Sequence, residues 1–275
     1  MTLEYHAISR SFSAAAKRYE ASAVLQKEVL HRLLDRVRDE FAGSEGSKVR
    51  CVLDLGCGTG WAVNELASLF PQATIHALDF SPAMIDCVRK HPRLRTVVGD
   101  AHDLPYADNS FDLVFSNLML QWTNESQVMA EAHRALKPGG VLLASSLGFS
   151  TLHELRHAWA AVDDKPHVNE FTDMRQVADS MLSLGFSQVV AHSETIVMTY
   201  ARVVDLMRDL KAIGAHNVDE RRPRGLTSRA ALRTLERAYE KFRTDGVLPA
   251  TYEINYFRGV AAKPDTRSIP SRLRS

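Results

Sequence analysis

The 275-residue sequence has few cysteines and no long apolar run, and both shortages restrict the kind of protein it can encode. Its three cysteines, Cys51, Cys57 and Cys87, form no C-x-x-C pair and no pairing with histidine, which argues against a disulfide framework and a zinc site. Apolar runs such as residues 141–144 are far shorter than the ~18 residues needed to span a bilayer, and no signal-like start is present. We therefore expect reduced thiols, a cytoplasmic location and no membrane insertion.

An excess of charge of one sign is also missing. The chain has 34 Lys and Arg residues against 33 Asp and Glu residues, and 45% of its residues are hydrophobic. A chain this close to neutrality gives no general argument for binding nucleic acid. Its length and apolar content predict a sizeable core, in one elaborated domain or two closely packed ones.

Motifs of three common enzyme classes are absent as well. There is no G-x-S-x-G elbow, which disfavours a Ser/His/Asp hydrolase. Among the scattered histidines only His153 and His157 have helical i, i+4 spacing, and no third ligand lies near them, so we predict no metal site. No Walker lysine with a following hydroxyl is present to cradle phosphates.

The most informative segment that is present covers residues 49–60, where a short apolar strand enters a glycine-rich turn before a helical pattern. Gly56, Gly58 and Gly60 allow the backbone to bend tightly and approach a ligand, while the next helix directs free N–H groups to the same point. The spacing is G-x-G-x-G, whereas a dinucleotide fingerprint reads G-x-G-x-x-G. The pattern favours a nucleoside ligand without phosphate; a tight turn without a ligand is the alternative.

Residues 49–146 alternate short β-branched runs with helical periods, which is typical of βαβ units and a parallel sheet. We predict strands at residues 49–55, 74–79, 94–99, 111–117 and 141–146. Helices are predicted at residues 61–70, 82–90 and 124–136, and a turn at residues 137–140. Ser81 and Pro82 supply an N-cap and a first-turn proline. The order of elements predicts an α/β, doubly wound sheet, whose ligands bind outside the carboxyl ends of the strands.

Two further strands, at residues 187–197 and 251–260, would complete a mostly parallel seven-stranded sheet. Helices are also predicted at residues 8–40, 151–162, 173–184, 203–213 and 228–242. The roughly fifty residues between the last two strands are too long for a plain connection and predict a helical lid. The expected organisation is an N-terminal helical cap (1–45), a cofactor-binding core (46–200), the lid (201–250), the last strand (251–262) and a flexible tail (263–275).

Several side chains around the predicted strand ends are candidates for ligand binding. Asp79 ends the second strand, where Rossmann-type sheets place an acid that accepts hydrogen bonds from ribose hydroxyls; a strand-end aspartate or helix cap is the alternative. Three apolar residues are candidates for sandwiching an adenine, or for plain core packing: Phe80, Met84 and Leu104. Gln121 and Trp122 follow the fourth strand and are candidates for the mouth of an acceptor pocket, although Trp122 also suits a core. Five apolar positions are candidates for covering the cofactor mouth: Phe12, Ala15, Tyr19, Val24 and Leu25.

Residues 54–60 resemble motif I of the S-adenosylmethionine (SAM) dependent methyltransferases with a Rossmann-like fold, a strand that ends in Asp-x-Gly-x-Gly-x-Gly. The resemblance implies SAM as the cofactor. It implies that the methionine half contacts Asp54, Gly56, Gly58 and Gly60. It also implies that Asp100 accepts from the adenine amino group, that Ala101 supplies a backbone donor, and that the strand ending at Asn117 lies beside the methyl group. For Asp100 a plain loop aspartate is the alternative.

Four other stretches narrow the resemblance to the malonyl-acyl carrier protein O-methyltransferases of biotin synthesis: residues 8–19, 166–171, 210–215 and 224–227. The similarity runs from about Ile8 to Ala262, with Ser228 where many members have glycine. It implies methyl transfer from SAM to the free carboxylate of a malonyl thioester on acyl carrier protein or coenzyme A. The alternatives are a ubiquinone-, menaquinone- or sterol-type methyltransferase, and a SAM-binding regulatory module without transfer activity.

A carboxylate acceptor has consequences for the site. An acid with a pKa near ~3.9 is already ionised at neutral pH, so we expect no general base, and catalysis by alignment and exclusion of water. Arginine grips both carboxylate oxygens, and tyrosine donates a single hydrogen bond. The candidates for holding the carboxylate are Tyr19, Lys17, Arg221 and Arg224, with a solvated surface position as the alternative for each.

Residues 221–243 hold eight basic residues against Glu236 and Glu240. Such local charge on a near-neutral chain predicts an acidic partner, for which acyl carrier protein is suited. An ordinary helix face with i, i+4 pairs is the alternative. Few aromatic residues are interleaved, which disfavours nucleic acid. The sequence leaves the oligomeric state open.

Overall fold

The computed structural model describes residue 8, residues 10–15, 23–43, 45–88 and 92–215, residue 217 and residues 228–262. Its seven strands form one sheet in the order β3-β2-β1-β4-β5-β7-β6. Their bounds are β1 Cys51–Leu55, β2 Thr74–Asp79, β3 Leu94–Val98, β4 Phe111–Asn117, β5 Leu136–Leu147, β6 Phe186–Tyr200 and β7 Leu248–Ala261. β1 to β5 pair in parallel, and β7 lies antiparallel between β5 and β6. The predicted mostly parallel, seven-stranded sheet is confirmed.

Helices cover both faces of this sheet. Their bounds are α1 Val24–Glu40, α2 Trp61–Leu69, α3 Pro82–Ile85, α4 Glu125–Ala135, α5 His153–Ala160, α6 Met174–Ser183, α7 Val203–Ala212 and α8 Arg229–Tyr239. One core cluster holds residues of α1, α2, α5, α7 and α8, and the other holds residues of α4 and α6. The central strands are therefore buried on both faces, as their continuous apolar runs require. This doubly wound arrangement leaves the carboxyl edge of the parallel strands for a ligand.

Side-chain caps fix the starts of the helices that border this edge. The Ser81 side chain accepts from the main-chain N–H of Met84, with Pro82 at the first helical position of α3. The Asn124 side chain accepts from the N–H of Gln127 and begins α4. Each cap satisfies one of the free donors of a first turn, which is why these helices begin where the sequence predicts.

Local boundaries differ from the sequence prediction at several points. The helix predicted at 8–40 is not continuous, because Ala23 has a non-helical backbone (φ −89°, ψ 54°). Val24 is 59% exposed and does not cover the cofactor cleft. The helix predicted at 82–90 ends at Ile85. The turn predicted at 137–140 is absorbed into β5, whose register with β4 shifts there. β6 and β7 are longer than predicted because they pair with each other in one long antiparallel ladder, which is interrupted only by a bulge between Ser187 and Val190.

Within the described residues, no helix combines the length and the apolar character that crossing a membrane requires.

Candidate active site

A cleft at the carboxyl ends of the parallel strands gathers most of the predicted cofactor residues. Those that line it are Gly56, Gly58, Asp79, Phe80, Met84, Asp100, Ala101 and Asn117. Asp54 lines a smaller adjoining cavity, which also contacts Gly56, Gly58 and Asn117. Gly60 is the left-handed residue that begins α2, and Leu104 lies in the core beneath the cleft rather than on its wall. Residues distant in sequence thus form one continuous groove.

The glycine turn shapes the floor of this groove. The N–H groups of Gly56 and Cys57 both donate to the carbonyl oxygen of Leu78, at 2.8 and 3.0 Å. Gly56, Gly58 and Gly60 have φ values of 75°, 53° and 84°, which favour glycine. A Cβ on Gly56 would lie 2.3 Å from the Met119 Cγ, whereas a Cβ on Gly58 would meet nothing within 4 Å. Gly58 therefore faces open space that a ligand can occupy.

Asp79 is held against this turn by its own carboxylate. Oδ2 accepts from the N–H of Gly58 at 3.0 Å, and Oδ1 accepts from the N–H of Ser81 at 2.9 Å. Burial raises the pKa of Asp79 to about 6, against the opposing effect of these backbone hydrogen bonds. Each oxygen retains further acceptor capacity, which suits it to a pair of ribose hydroxyls.

Asp54 is a buried acid beside the glycine turn. Its side chain is 2% exposed, and its Oδ2 has no hydrogen-bond partner within the described residues. Burial, and then the neighbouring Asp79 carboxylate, raise the pKa of Asp54 to about 8. An unpaired buried carboxylate oxygen next to a cavity is suited to a cationic ligand group. The ammonium of a methionine moiety has that charge, so the residues present fit SAM.

The end of the cleft at which the sequence predicts an adenine combines apolar walls with one exposed acid. Met84 is 2% exposed, and the Phe80 ring lies edge-on to Phe12, with ring centroids 6.4 Å apart. Asp100 has a side chain that is 66% exposed, and its Oδ1 accepts from the main-chain N–H of His102 at 2.9 Å. Apolar walls with a few placed polar groups are the usual design of small-molecule sites.

A second, largely apolar cavity adjoins the cofactor cleft. Phe12, Leu118 and Trp122 line both spaces and therefore lie at the boundary between them. The remaining walls come from α1, α5, α7, the 166–171 segment and β7, and they include Leu25, Gln26, Leu155, Trp159, His167, Asn169, Met207, Leu210 and Tyr252. The segments 166–171 and 210–215, on which the family resemblance rests, both reach this cavity, which is called the acceptor cavity below after its predicted role.

Gln121 and Trp122 form a wall of this cavity rather than an exposed rim. Both are buried, and the Gln121 Nε2 donates to the carbonyl oxygen of Leu118 at 2.6 Å. Asn117 is similarly engaged, since its Nδ2 donates to the Gln26 carbonyl at 3.1 Å and its Oδ1 accepts from Ser145 at 2.9 Å. These bonds hold Gln121 on the wall of this cavity and Asn117 on the wall of the neighbouring cleft.

The predicted carboxylate-binding residues, Tyr19, Lys17, Arg221 and Arg224, lie outside the described residues. Among the described residues of the acceptor cavity there is no lysine or arginine. Its polar groups include His167, whose ring stacks on Trp159 with centroids 3.7 Å apart and whose Nε2 lies 2.8 Å from the Asp163 carboxylate.

Sequence reasoning missed Gln26, Trp159, His167 and Tyr252 as lining residues of the acceptor cavity. Only His167 carried a signal, because it belongs to the 166–171 stretch.

No group of three or more His, Cys, Asp or Glu side chains among the described residues could hold a metal ion.

Comparisons with solved structures support the fold. The YcgJ protein of Bacillus subtilis has a TM-score of 0.57 and 14% identity, and the match covers 85% of this chain and 99% of that one. Phosphoethanolamine N-methyltransferase 2 of Haemonchus contortus, solved with S-adenosylhomocysteine, has a TM-score of 0.52 and 19% identity, covering 85% of this chain and 53% of that one. Likenesses at these identities bear on the fold alone.

Comparisons of sequence are more specific. Residues 53–144 match the methyltransferase domain family. The malonyl-[acyl-carrier protein] O-methyltransferase of Halorhodospira halophila is 44% identical, over 93% of this chain and 87% of its own length. That of Gallionella capsiferriformans is 41% identical, over 96% and 93%. The biotin biosynthesis bifunctional protein BioHC of Teredinibacter turnerae is 42% identical, over 90% of this chain and 45% of its own length. The chain therefore belongs to the malonyl-[acyl-carrier protein] O-methyltransferase family of SAM-dependent methyltransferases.

Proposed function

We propose that this protein methylates the free carboxylate of a malonyl group carried as a thioester on acyl carrier protein, with SAM as the methyl donor. The observation that carries this proposal is 44% identity, over 93% of the chain, to a relative of that name. The adjoining cofactor cleft and acceptor cavity support it. A methyl ester removes the charge of the malonyl end, so the group could then serve as an apolar primer for fatty acid synthesis, early in biotin synthesis.

The cofactor cleft offers a group for each part of the donor. SAM, when bound, supplies a methyl group attached to a positively charged sulfur. We assign the methionine half to Asp54, Gly56, Gly58 and Gly60, and the ribose to Asp79. We assign the adenine to Phe80, Met84, Asp100 and Ala101. Asn117 would lie on the methyl side, where its hydrogen bonds to Gln26 and Ser145 keep it in place.

The acceptor cavity suits a reaction that needs no proton transfer. A malonyl carboxylate is ionised at neutral pH, so a general base would add nothing to its attack on the methyl group. Leu25, Leu155 and Met207 are apolar walls that exclude water from that step. We assign the recruitment of the carboxylate to Tyr19, Lys17, Arg221 and Arg224.

We propose that residues 201–250 act as a lid and residues 1–45 as a cap over the same cavity. Met207, Leu210 and Ile213 of the lid line the acceptor cavity together with Phe12 of the cap. The Ser11 hydroxyl donates to the carbonyl oxygen of Gly214 at 2.9 Å, which joins the cap to the lid. A substrate on a long carrier arm would be enclosed by both.

We also propose that the exposed basic side of α8 docks acyl carrier protein. Arg229, Arg233 and Arg237 are exposed and four residues apart, so they lie on one side of the helix, and Lys241 follows in the same series. Arg243 is engaged with Glu240 at 2.7 Å and contributes less. Positive charge of this kind attracts an acidic protein and speeds its association.

Methyl transfer from labelled SAM tests the function directly. Purified protein is incubated with malonyl-acyl carrier protein, malonyl-coenzyme A or a quinol precursor, and label is expected in an alkali-labile malonyl ester. Label in the quinol alone would overturn the substrate and favour a quinone-type methyltransferase. SAM binding without turnover on any acceptor would favour a regulatory module. The cytoplasmic location remains a prediction, which fractionation of cells would check.

A further inference from the structure

His102 joins the adenine end of the cofactor cleft to the start of α4. Its Nδ1 lies 2.6 Å from the Oδ1 of Asp100, and its own main-chain N–H donates to that same oxygen at 2.9 Å. On the other side of the ring, Nε2 accepts from the main-chain N–H of Asn124 at 3.0 Å. The side chain of Gln127 donates to the His102 carbonyl oxygen at 3.3 Å. His102 is thus hydrogen-bonded both to Asp100 at the cleft and to the first residues of α4.

These contacts determine which ring nitrogen of His102 carries the proton. A main-chain N–H can only donate, so the Nε2 that faces Asn124 must offer a lone pair. The hydrogen of a neutral ring then resides on Nδ1, where it donates to Asp100. Both nitrogens are used, and the side chain is only 12% exposed, so the ring has a fixed orientation.

The fixed ring restricts Asp100. The carboxylate of Asp100 is 66% exposed and would otherwise rotate freely in solvent. Two hydrogen bonds to its Oδ1 remove that freedom and leave Oδ2 to accept from a group in the cleft, which both Asp100 and His102 line. An ionised acceptor held in one direction selects for a donor on the ligand and against an acceptor.

We propose that His102 is a positioning residue that makes the site selective for a 6-amino purine, by holding the Asp100 carboxylate toward the exocyclic amino group. This inference rests on the proposed function, in which Asp100 receives the adenine of SAM. A 6-oxo purine would present a carbonyl oxygen to the same carboxylate, and two acceptors repel. The selectivity therefore depends on the orientation that His102 imposes.

Two substitutions test the two hydrogen bonds of the His102 ring one at a time. His102→Asn can place its amide nitrogen near the position of Nδ1 and keep the donor to Asp100, but it loses the acceptor for Asn124. His102→Gln reaches the position of Nε2 and keeps that acceptor, but it loses the donor to Asp100. The readouts are the dissociation constants of S-adenosylhomocysteine and S-inosylhomocysteine by calorimetry, and the melting temperature of the ligand-free protein.

The wild type is expected to bind the adenosyl compound roughly 10- to 100-fold more tightly than the inosyl compound, the range of a charge-assisted hydrogen bond. His102→Asn should keep most of that ratio while it lowers the melting temperature. His102→Gln should reduce the ratio of the two dissociation constants about tenfold. Its melting temperature should fall less than that of His102→Asn. His102→Asn is thus expected to be the more selective but less stable variant, and His102→Gln the more stable but less selective one. A purely structural role would make selectivity and stability fall together. The exposed His31→Gln on α1 is the control and should change neither quantity.

Asp100→Ala should abolish the selectivity, and adding His102→Gln to it should cause no further loss. A wild-type ratio retained in His102→Gln, or ratios that follow melting temperature in both variants, would overturn the inference. Wild-type protein that does not bind S-adenosylhomocysteine would overturn both this inference and the proposed function. Binding without methylation of malonyl-acyl carrier protein would overturn the proposed function alone, because the selectivity measurement needs no acceptor.

Discussion

At the scale of single residues, two buried carboxyl groups dominate the electrostatics of the cofactor cleft. Burial raises the pKa of Asp54 to about 8 and that of Asp79 to about 6, so the folded, ligand-free protein holds protons that the unfolded chain releases near pH 4. The folded state therefore binds more protons than the unfolded state between about pH 4 and 8, and its stability falls as pH rises through that window. A ligand with a cationic group opposes this loss of stability, because it favours the ionised form of the two carboxyl groups.

This linkage predicts opposite pH trends for folding and for ligand binding. The melting temperature of the ligand-free protein should fall from pH 6 to 8, while the affinity for S-adenosylhomocysteine rises as Asp54 becomes easier to ionise. Calorimetry in buffers of different ionisation enthalpy should detect release of a proton on binding near pH 7. Asp54→Asn should flatten both trends and weaken binding roughly 10- to 100-fold. Unchanged affinity in that variant would contradict the assignment of Asp54.

Gly58 and Gly43 provide a matched pair for testing the glycine turn. Both have positive φ values, 53° and 72°, and a Cβ on either would meet nothing within 4 Å. Alanine should therefore cost about 1–2 kcal/mol of stability at both positions through backbone strain. Only Gly58 lines the cofactor cleft, so only Gly58→Ala should raise the dissociation constant of S-adenosylhomocysteine, by about tenfold or more. Equal binding by the two variants would show that the turn does not contact the ligand.

The residues that the sequence named for cofactor binding could be named because their signals are local. Asp54 and the three glycines are set by adjacent residues in one turn, and Asp79 and Asp100 each end or follow a strand. The bond between His102 and Asn124 was not predictable, because 22 residues separate the partners and only the fold makes them neighbours.

At the scale of elements, the N-terminal segment at residues 10–15 connects the two cavities. The Phe12 ring lies edge-on to Trp122, at 5.3 Å between centroids, and lines both the cofactor cleft and the acceptor cavity. The Ser13 and Ser81 hydroxyls are 2.9 Å apart, which ties the segment to the start of α3. In the proposed function, the segment would exclude water from the point where donor and acceptor meet.

Phe12→Ala should raise the Michaelis constants for both SAM and malonyl-acyl carrier protein. The Phe12 side chain lines both cavities, so its loss should raise each constant roughly tenfold, and the loss of two edge-to-face ring contacts of about 0.5–1.5 kcal/mol each should also lower stability. Phe41→Ala is the matched control, since the Phe41 ring makes a similar contact with Phe70 away from the site. The control should lose stability without a change in either Michaelis constant. A Phe12 variant that resembles the control would remove the segment from the mechanism.

The proposed docking of acyl carrier protein on the basic side of α8 can be tested by reversing one charge. Arg233→Glu should raise the Michaelis constant for malonyl-acyl carrier protein about tenfold at low salt, with a smaller effect at high salt. The constant for malonyl-coenzyme A, which presents no acidic protein, should change little. Arg175→Glu on α6, at the opposite face of the sheet, makes the same charge change as a control. Equal effects of the two substitutions would indicate a general charge effect and no docking site.

The proposed contact of Arg221 and Arg224 with the malonyl carboxylate is tested separately. Replacing either with alanine should raise the Michaelis constant for the carrier substrate more than that for SAM, because the proposed contact is with the malonyl group. A saturated substrate of the same length without the free carboxylate is the comparison, and its binding should not respond. Equal effects on both substrates would count against the assigned role.

Helices and strands were predicted well where one periodicity runs without interruption, as in α4 and β4. The N-cap of α3, Ser81, is read directly from the sequence. Asn124 was expected as the first residue of its helix and is instead the N-cap of α4. The break at Ala23 was not predicted, because the apolar period continues across it and Ala23 itself is fully buried. Packing of this buried residue against the rest of the molecule, rather than local propensity, sets the point where α1 begins.

At the scale of the whole molecule, ligand binding should stabilise the fold through the parallel half of the sheet. S-adenosylhomocysteine at 100 times its dissociation constant should add about 2.7 kcal/mol, which corresponds to roughly 5–10 °C in melting temperature for a chain of this size. NADH and ATP at the same concentration should add nothing, since the turn lacks a phosphate cradle. Scanning calorimetry checks both expectations, and stabilisation by NADH in place of S-adenosylhomocysteine would overturn the choice of cofactor.

The sequence by itself determined the parallel sheet, the position of the glycine turn and the acids at the strand ends, because each depends on residues close together in the chain. Only the tertiary structure decided the acceptor cavity. Gln26, Trp159, His167 and Tyr252 lie on four separate segments, and they meet because the strand order and the antiparallel β7 bring those segments to one edge of the sheet. Contacts of that range depend on how buried faces pack against each other, and no local pattern encodes them.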